Sequence, residues 1–285
     1  MLSIAQMNTQ SFADARKMEF YGTVNEDGTA HITLLNSMYQ LDEDTVAWGE
    51  YCHGFSKINQ KTRRDVAFLT VDDKMRKLFR GRAVYDHQET SGEICEKFNS
   101  IPRFRYNNLY GYRPIHFLSL KELSGMELVN ATKWGQRSRA VASTIHPGDT
   151  PEALSVLSRR YFEDSSGFKV LGWVGKGGAV QLLPLPQCVL TAANRVVFTP
   201  EPYGEELAQI PDGATVAVYA VMVRKMQSVL VKGILERTSF NNNPYYVVDV
   251  NSVYSPMLPK NGFIYPKTPP QPVTEWKTAL WEYNV

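Results

Sequence analysis

The residues best suited to chemistry in this sequence lie between His31 and Asp65. Cys52-His-Gly-Phe-Ser-Lys57 leads into a stretch from Ser56 to Arg64 that reads as a short helix. A phosphate dianion needs hydrogen-bond donors and a cation at one fixed point. A Ser hydroxyl and a Lys ammonium opening a short helix, with that helix's free N–H groups, supply both. His53 and Gly54 stand where the chain must approach such an anion closely. Taken alone, Ser56 reads as an ordinary N-cap and Lys57 as a solvated residue whose stem packs little. The strands around them favour the anion site.

Other chemistry-bearing residues are dispersed. Gly172-Trp-Val-Gly-Lys-Gly177 is too short for a P-loop and no Ser or Thr follows its Lys, so a hairpin turn is expected. His31, His53, His87, His116 and His146 show no metal-ligand spacing and read as structural, with no metal site expected. Trp48 and Trp173 read as core. Arg103-Phe-Arg-Tyr-Asn-Asn-Leu-Tyr-Gly-Tyr-Arg113 interleaves basic and aromatic residues, a pattern that can contact nucleic acid. In a near-neutral chain it reads as a loop bordering a substrate cavity. Cys52, Cys95 and Cys188 are odd in number and far apart, against a disulfide framework.

Strands must position the site. Phe20–Val24 and His31–Leu35 flank the turn Asn25-Glu-Asp-Gly28 and read as a hairpin. Further strands are expected at Asp44–Tyr51, Val66–Val71, Met75–Tyr85 and Arg113–Leu120, with a second helix at Thr90–Phe98 and a loop at Ile101–Tyr112. Near residue 150 the pattern restarts. Thr150 and Pro151 predict a helix start, with Leu154, Leu157 and Tyr161 as its apolar face. Phe168–Val174 and Ala179–Leu183 then flank Gly175-Lys-Gly-Gly178 as a second hairpin.

Landmarks recur at a shift of about 150 residues. Phe20-Tyr-Gly-Thr-Val lines up with Leu171-Gly-Trp-Val, and Asn36-Ser-Met-Tyr-Gln-Leu with Leu185-Pro-Gln-Cys-Val-Leu. Thr45-Val-Ala-Trp lines up with Arg195-Val-Val-Phe, and Val66-Ala-Phe-Leu-Thr-Val with Val216-Ala-Val-Tyr-Ala-Val. Leu78-Phe-Arg-Gly-Arg lines up with Leu230-Val-Lys-Gly-Ile. Two β-rich halves can also be aligned loosely by chance, but the kept order of elements favours two small β-barrels, 1–149 and 150–285. The Pro-rich segment after Ser255 reads as an extended tail ending in a helix or strand at Thr274–Tyr283.

The segment Phe20 to Asp86 resembles the pyridoxamine-phosphate-oxidase-like FMN-binding split barrels. Their pattern is a hairpin with a Gly-x-Pro-type turn, a flavin-facing strand, and a Ser-Lys pair before a short helix ending in Asn-Pro-x-Val-Ala. Here Ser56-Lys57 matches the pair and Arg64-Asp-Val-Ala67 the helix end. Thr29-Ala30 and Arg64-Asp65 stand where the two prolines would be, and the Lys-to-Val spacing is one residue short. The resemblance implies a mainly β chain with short helices (α+β), built as tandem split β-barrels of the FMN-binding type. It implies non-covalent FMN along Thr33, Leu34, Leu35, Asn36 and Ser37. Leu34 and Leu35 would give apolar surface and backbone amides to the ring, and Asn36 would bond its pyrimidine edge. Tyr51, His53, Gly54, Ser56 and Lys57 complete the implied cofactor site. Tyr51 and His53 are the candidates for an acid or base, should one be needed.

In the second half, Pro200-Glu-Pro-Tyr-Gly-Glu-Glu-Leu207 has no Ser-Lys, and Glu205 and Glu206 would repel a phosphate. That barrel is expected to keep the fold without the phosphate site and to act as the first barrel's internal dimer partner. A homodimer of the whole chain stays open. The implied activity is an oxidoreductase passing hydride or electrons through FMN to a small-molecule substrate, with a nicotinamide donor. Three rivals remain: a flavin-binding electron carrier or sensor, a haem-binding split barrel with His31 or His116 as axial ligand, and a cofactor-free interaction module.

Composition agrees with a folded globular chain. The 285 residues are 43% hydrophobic and 21% charged, with a formal net charge of +2. Neither the low hydrophobicity nor the high net charge of disorder is present. That balance provides no electrostatic reason to expect nucleic acid or an anionic membrane as partner. The longest apolar run, Val216–Val223, is too short for a bilayer span, and the N-terminus lacks a signal-peptide pattern. A cytoplasmic location is expected.

Overall fold

Two tight turns set the frame. In Asn25–Gly28 and in Gly175–Gly178 the glycine amide donates back to the carbonyl three residues earlier, at 3.0 and 2.9 Å. Gly28 and Gly178 take φ of 83° and 78°, the left-handed region that lacks a Cβ penalty only for glycine. Each turn joins the first two strands of one sheet in the computed structural model. It describes residues 17–51, 54–72, 77–101, 111–112, 114–128, 152–164, 167–192, 194–225, 227–257 and 261–266, with a few positions between 136 and 143.

The first half runs β1 (Lys17–Val24), β2 (Ala30–Leu35), β3 (Tyr39–Gln40), β4 (Thr45–Gly49), α1 (Phe55–Thr62), β5 (Asp65–Asp72), β6 (Lys77–Glu89), α2 (Glu93–Ser100), β7 (Ile115–Leu123) and β8 (Glu127–Leu128). The second runs α3 (Val156–Glu163), β9 (Phe168–Val174), β10 (Val180–Pro184), β11 (Val189–Ala192), β12 (Arg195–Phe198), α4 (Gly204–Leu207), β13 (Thr215–Met222), β14 (Gln227–Phe240), β15 (Asn243–Ser255) and β16 (Gly262–Tyr265). Each half forms one antiparallel sheet. The strand order is β2-β1-β5-β6-β7-β4-β3 in the first and β10-β9-β13-β14-β15-β12-β11 in the second, the same path twice. The chain is mainly β with short helices, arranged as two split β-barrels in tandem.

Register makes the correspondence quantitative. Gly22 faces Ile32 and Ala67, and Gly172 faces Leu182 and Ala217, so all three positions shift together by 150 residues. The sequence alignment of Leu78 with Leu230 is two residues out. Ala67 faces Arg82 while Ala217 faces Lys232, and the bulge at Arg82/Ala83 matches the bulge at Lys232/Gly233. The Arg-Gly and Lys-Gly pairs attracted the alignment, but cross-strand pairing makes Arg82, not Arg80, the counterpart of Lys232.

Other boundaries also move. Helix α3 starts at Val156, where the Ser155 hydroxyl accepts from the Ser158 amide at 3.2 Å and so caps the helix. Leu154 precedes the helix and Leu157 is 53% exposed, so Tyr161 and Phe162 form its buried face. Thr150 and Pro151, most of Ile101–Tyr112 and the Thr274–Tyr283 segment lie outside the described residues. Part of the expected extended tail is strand, because Gly262–Tyr265 pairs with β15.

Apolar residues fill three layers. Tyr21, Trp48, Phe68 and Leu118 pack inside the first barrel; Leu171, Trp173, Phe198 and Val218 pack inside the second. Between the barrels lies a shared core with nine buried residues from each half, including Phe20, Ile32, Leu69, Phe168, Leu182 and Tyr219. This double coverage explains why every residue of β1 is buried. Packing across the seam is reciprocal. A Cβ on Gly22 would lie 3.0 Å from Leu182, and one on Gly172 would lie 2.9 Å from Ile32. Reciprocal contact of equivalent positions is the geometry of a two-fold interface, here built within one chain.

Candidate functional site

Helix α1 is inside out. Its buried residues are Ser56, Lys57, Asn59 and Gln60, all polar, while Phe55 and Ile58 face outward. Burying polar groups costs free energy unless each finds a partner. Asn59 donates to Thr23 Oγ1 at 3.1 Å and to Asn25 Oδ1 at 2.8 Å. The Ser56 and Thr33 hydroxyls lie 2.5 Å apart. Gln60 accepts from the Tyr21 hydroxyl at 2.7 Å and donates to His116 Nδ1 at 2.9 Å. That direction leaves the His116 proton on Nε2, which donates to Glu50 Oε2 at 2.8 Å. Burial holds the His116 pKa down, against the opposing pull of Glu50. The chain Tyr21–Gln60–His116–Glu50 thus fastens α1 to the barrel wall.

Lys57 is the exception. It is 4% exposed, its ammonium lies 5.3 Å from the centre of the Trp48 ring, and no described carboxylate forms an ion pair with it. The ring face offers cation–π attraction, yet a buried cation without a counter-charge remains costly. The sequence reading put Lys57 on the surface. The structure buries it, because the polar face of α1 turns toward β1 and β2.

The opposite barrel completes the surroundings. Lys232 on β14 reaches across the seam and donates to Thr29 Oγ1 at 2.6 Å. Burial pushes its pKa down to about 8, opposed by the charge of Asp27. Asp27 accepts from the Thr29 hydroxyl at 2.6 Å and from its amide at 2.9 Å. His31 is 3% exposed, with Phe55 and Tyr254 edge-on at 5.6 and 5.3 Å, and its ring makes no hydrogen bond among the described residues. Its pKa falls to about 3, first from burial and then from the charges of Lys232 and Lys57. A buried lysine, Lys57, following Ser56, whose hydroxyl meets that of Thr33, is the chemistry an anion such as phosphate would need.

Among the residues named from sequence, Thr33, Ser56 and Lys57 come together here, with Gly54 as the extended residue before α1. Leu34 packs toward the seam and Leu35 into the first barrel. Ser37 donates to the Gly49 carbonyl at 2.8 Å and accepts from its amide at 3.1 Å, which ties β2 to β4. Asn36 accepts from the Tyr112 hydroxyl at 3.4 Å. Tyr51 is exposed, and His53 lies outside the described residues. Sequence reading did not name Lys232 as a site residue and named His31 only as a haem ligand. Nothing local marks Lys232; the 150-residue shift, applied in the paired register, would have pointed to it.

At the second seam position a cleft of about 580 Å³ is lined by Arg80, Arg82, Glu122, Ser124, Gln181 and apolar neighbours. There Arg80 pairs with Glu127 at 2.6 Å and Glu206 at 3.3 Å, and Arg82 pairs with Glu122 at 3.3 Å.

Among the described residues no helix is long and apolar enough to cross a membrane, and no cluster of His, Cys, Asp and Glu could hold a metal. No protein-family model matches this chain, and neither does the sequence of any curated protein. Several solved structures are similar to it. HupZ of Group A Streptococcus is 18% identical, covers 42% of this chain and 98% of its own, and has a TM-score of 0.35. An FMN-binding protein from Syntrophomonas wolfei is 12% identical over 45% of this chain and 84% of its own, with a TM-score of 0.35. A Clostridium acetobutylicum protein related to general stress protein 26, of the pyridoxinephosphate oxidase family, is 12% identical over 45% and 93%, with a TM-score of 0.33. Each of these three covers less than half of the chain.

Proposed function

We propose that this chain is a flavoprotein that holds FMN non-covalently between its two barrels and acts as an oxidoreductase on a small molecule, with a nicotinamide donor. The observation that carries the reading is Lys57, buried beside two hydroxyls without a carboxylate partner. A phosphate would supply the missing counter-charge. Ser56 and Thr33 would donate to its oxygens, Lys57 would neutralise it, and Lys232 would contribute from the other barrel. Bound FMN would supply the redox chemistry. The protein's task is to orient the cofactor and keep water from its phosphate. Anchoring of α1 by Gln60 and Asn59 supports that role by fixing the start of the helix. The haem alternative is weakened by His116, whose two ring nitrogens are both hydrogen-bonded.

The test is titration of the apo-protein with FMN, followed by flavin fluorescence. Lys57→Ala should weaken binding by about ten- to hundredfold, a charge-assisted contact of roughly 1.5–3 kcal/mol. Circular dichroism should show an intact fold, since the variant removes an unpaired buried charge. Unchanged affinity would overturn the phosphate site. A Soret band in the purified protein would favour haem, and uptake of neither group would favour an interaction module. Flavin uptake without NAD(P)H oxidation would leave a carrier or sensor.

A further inference from the structure

Helix α1 leaves its apolar side uncovered. Phe55 and Ile58 lie one turn apart on the face that points away from the barrel, 38% and 53% exposed. Phe263 on β16, 48% exposed, has its ring centre 5.9 Å from that of Phe55, and the two rings pack on Tyr254 at 5.4 and 5.6 Å. Lys61, one turn beyond Ile58, is exposed and forms no ion pair among the described residues. Large apolar side chains set side by side on a helix and a neighbouring strand mark an interaction surface.

The chain itself runs on from this patch. Strand β16 ends at Tyr265, two residues past Phe263, and the sequence continues through Pro266, Pro269, Pro270 and Pro272 to Thr274–Tyr283. Those last residues lie outside the described ones, but their order is informative. Trp276, Leu280 and Tyr283 stand at i, i+4 and i+7, one face of a helix. Glu275 and Glu282, also seven apart, fall together on one flank of that face and are opposite in sign to Lys61. As an extended Pro-rich linker, residues 267–273 reach about 20 Å. That is long enough to return a helix to α1, and short enough to hold it there at an effective concentration near millimolar.

We propose that residues 274–283 form an amphipathic helix that packs across the outward face of α1, with Trp276 and Leu280 over Phe55, Ile58 and Phe263. Helix α1 is then held by the barrel wall on its polar side and by the chain's own tail on its apolar side. This packing is independent of which cofactor the chain takes.

Hydrogen–deuterium exchange of the full chain tests it, in wild type, Ile58→Glu, Ile58→Leu and Leu280→Glu, with thermal melts to check that each is folded. In wild type the amides of 275–283 should exchange at least about tenfold more slowly than those of a free chain. Ile58→Glu should abolish that protection and Ile58→Leu should keep it. Leu280→Glu, which alters only the tail, should release 275–283 and speed exchange in α1. Free-chain exchange of 275–283 in wild type overturns the proposal, and so does protection that survives both Ile58→Glu and Leu280→Glu. Protection lost on dilution, together with a dimer in sedimentation, assigns the patch to a second copy of the chain and overturns it as well.

Discussion

The two barrels place matching elements at the seam and fill them with opposite chemistry. Helices α1 and α4 both connect the fourth barrel strand to the fifth, in a register where Thr45 matches Arg195 and Asp65 matches Thr215. Ser56 and Lys57 in α1 therefore correspond to Glu206 and Leu207 in α4. Where Lys57 is a buried cation without a carboxylate, Leu207 is a fully buried apolar side chain. The cations that cross the seam differ in the same way. Arg82 faces Glu122 on the neighbouring strand and pairs with it, whereas Lys232 faces Ser252 and reaches Thr29 instead. One seam position pairs its cations with protein carboxylates; at the other, Lys232 has only the nearby charge of Asp27 and Lys57 forms no ion pair with a described carboxylate. The phosphate site proposed above rests on that difference.

The largest expected effect concerns the matched interiors. Gly81 faces Phe68 in the first barrel, and a Cβ there would lie 2.1 Å from the ring; in the second, Val231 faces Val218. Gly81→Val should destabilise by about 3 kcal/mol or more, through overpacking. Adding Phe68→Val should restore most of it in urea unfolding, because the pair then copies its counterpart. Failure of that rescue would break the equivalence of the two interiors.

Lys57→Ala comes next, with the loss of flavin affinity given above. The third effect is a pH dependence. His31 corresponds to Gln181, which does not titrate. With a native pKa near 3 against an ordinary 6.5, the unfolded chain binds a proton at His31 that the native state does not. Stability therefore falls as pH drops from 6.5 toward 3, by up to about 1.4 kcal/mol per pH unit from this residue. His31→Gln should flatten that slope in chemical denaturation; an unchanged slope would mean that His31 does not stay neutral in the native state. The smallest effect belongs to Glu206→Gln. It breaks a part-exposed pair with Arg80, worth less than about 1 kcal/mol, and should leave flavin affinity unaltered. A clear change in FMN binding would show that the second seam position is not independent of the first.

Much of the frame was legible along the chain. Asn25-Glu-Asp-Gly28 and Gly175-Lys-Gly-Gly178 announce their hairpins because only a few residue types accept the backbone such turns require. The matched runs Val66–Val71 and Val216–Val221 show the halves because strands covered on both faces read as continuous apolar stretches. Ser56-Lys57 was readable as a candidate site, but its burial was not. The sequence of α1 looks like a solvated helix with two misplaced apolar residues, and its polar face proves to be the inner one. The start of α3 was misread for a related reason. Both Thr150 and Ser155 can cap a helix, and only Ser155 is seen to do so among the described residues.

Turns, strand periodicity and the position of the short helix after β4 depend on residues close in sequence, so the chain alone determined them. The meeting of Lys232 with Thr29 depends on packing between residues 203 positions apart. No local pattern encodes which charges share a low-dielectric space, or which of them lack a partner there. That was decided only when the two barrels closed on their shared core, with Gly22 and Gly172 admitting each other's neighbours and Lys232 carried across the seam.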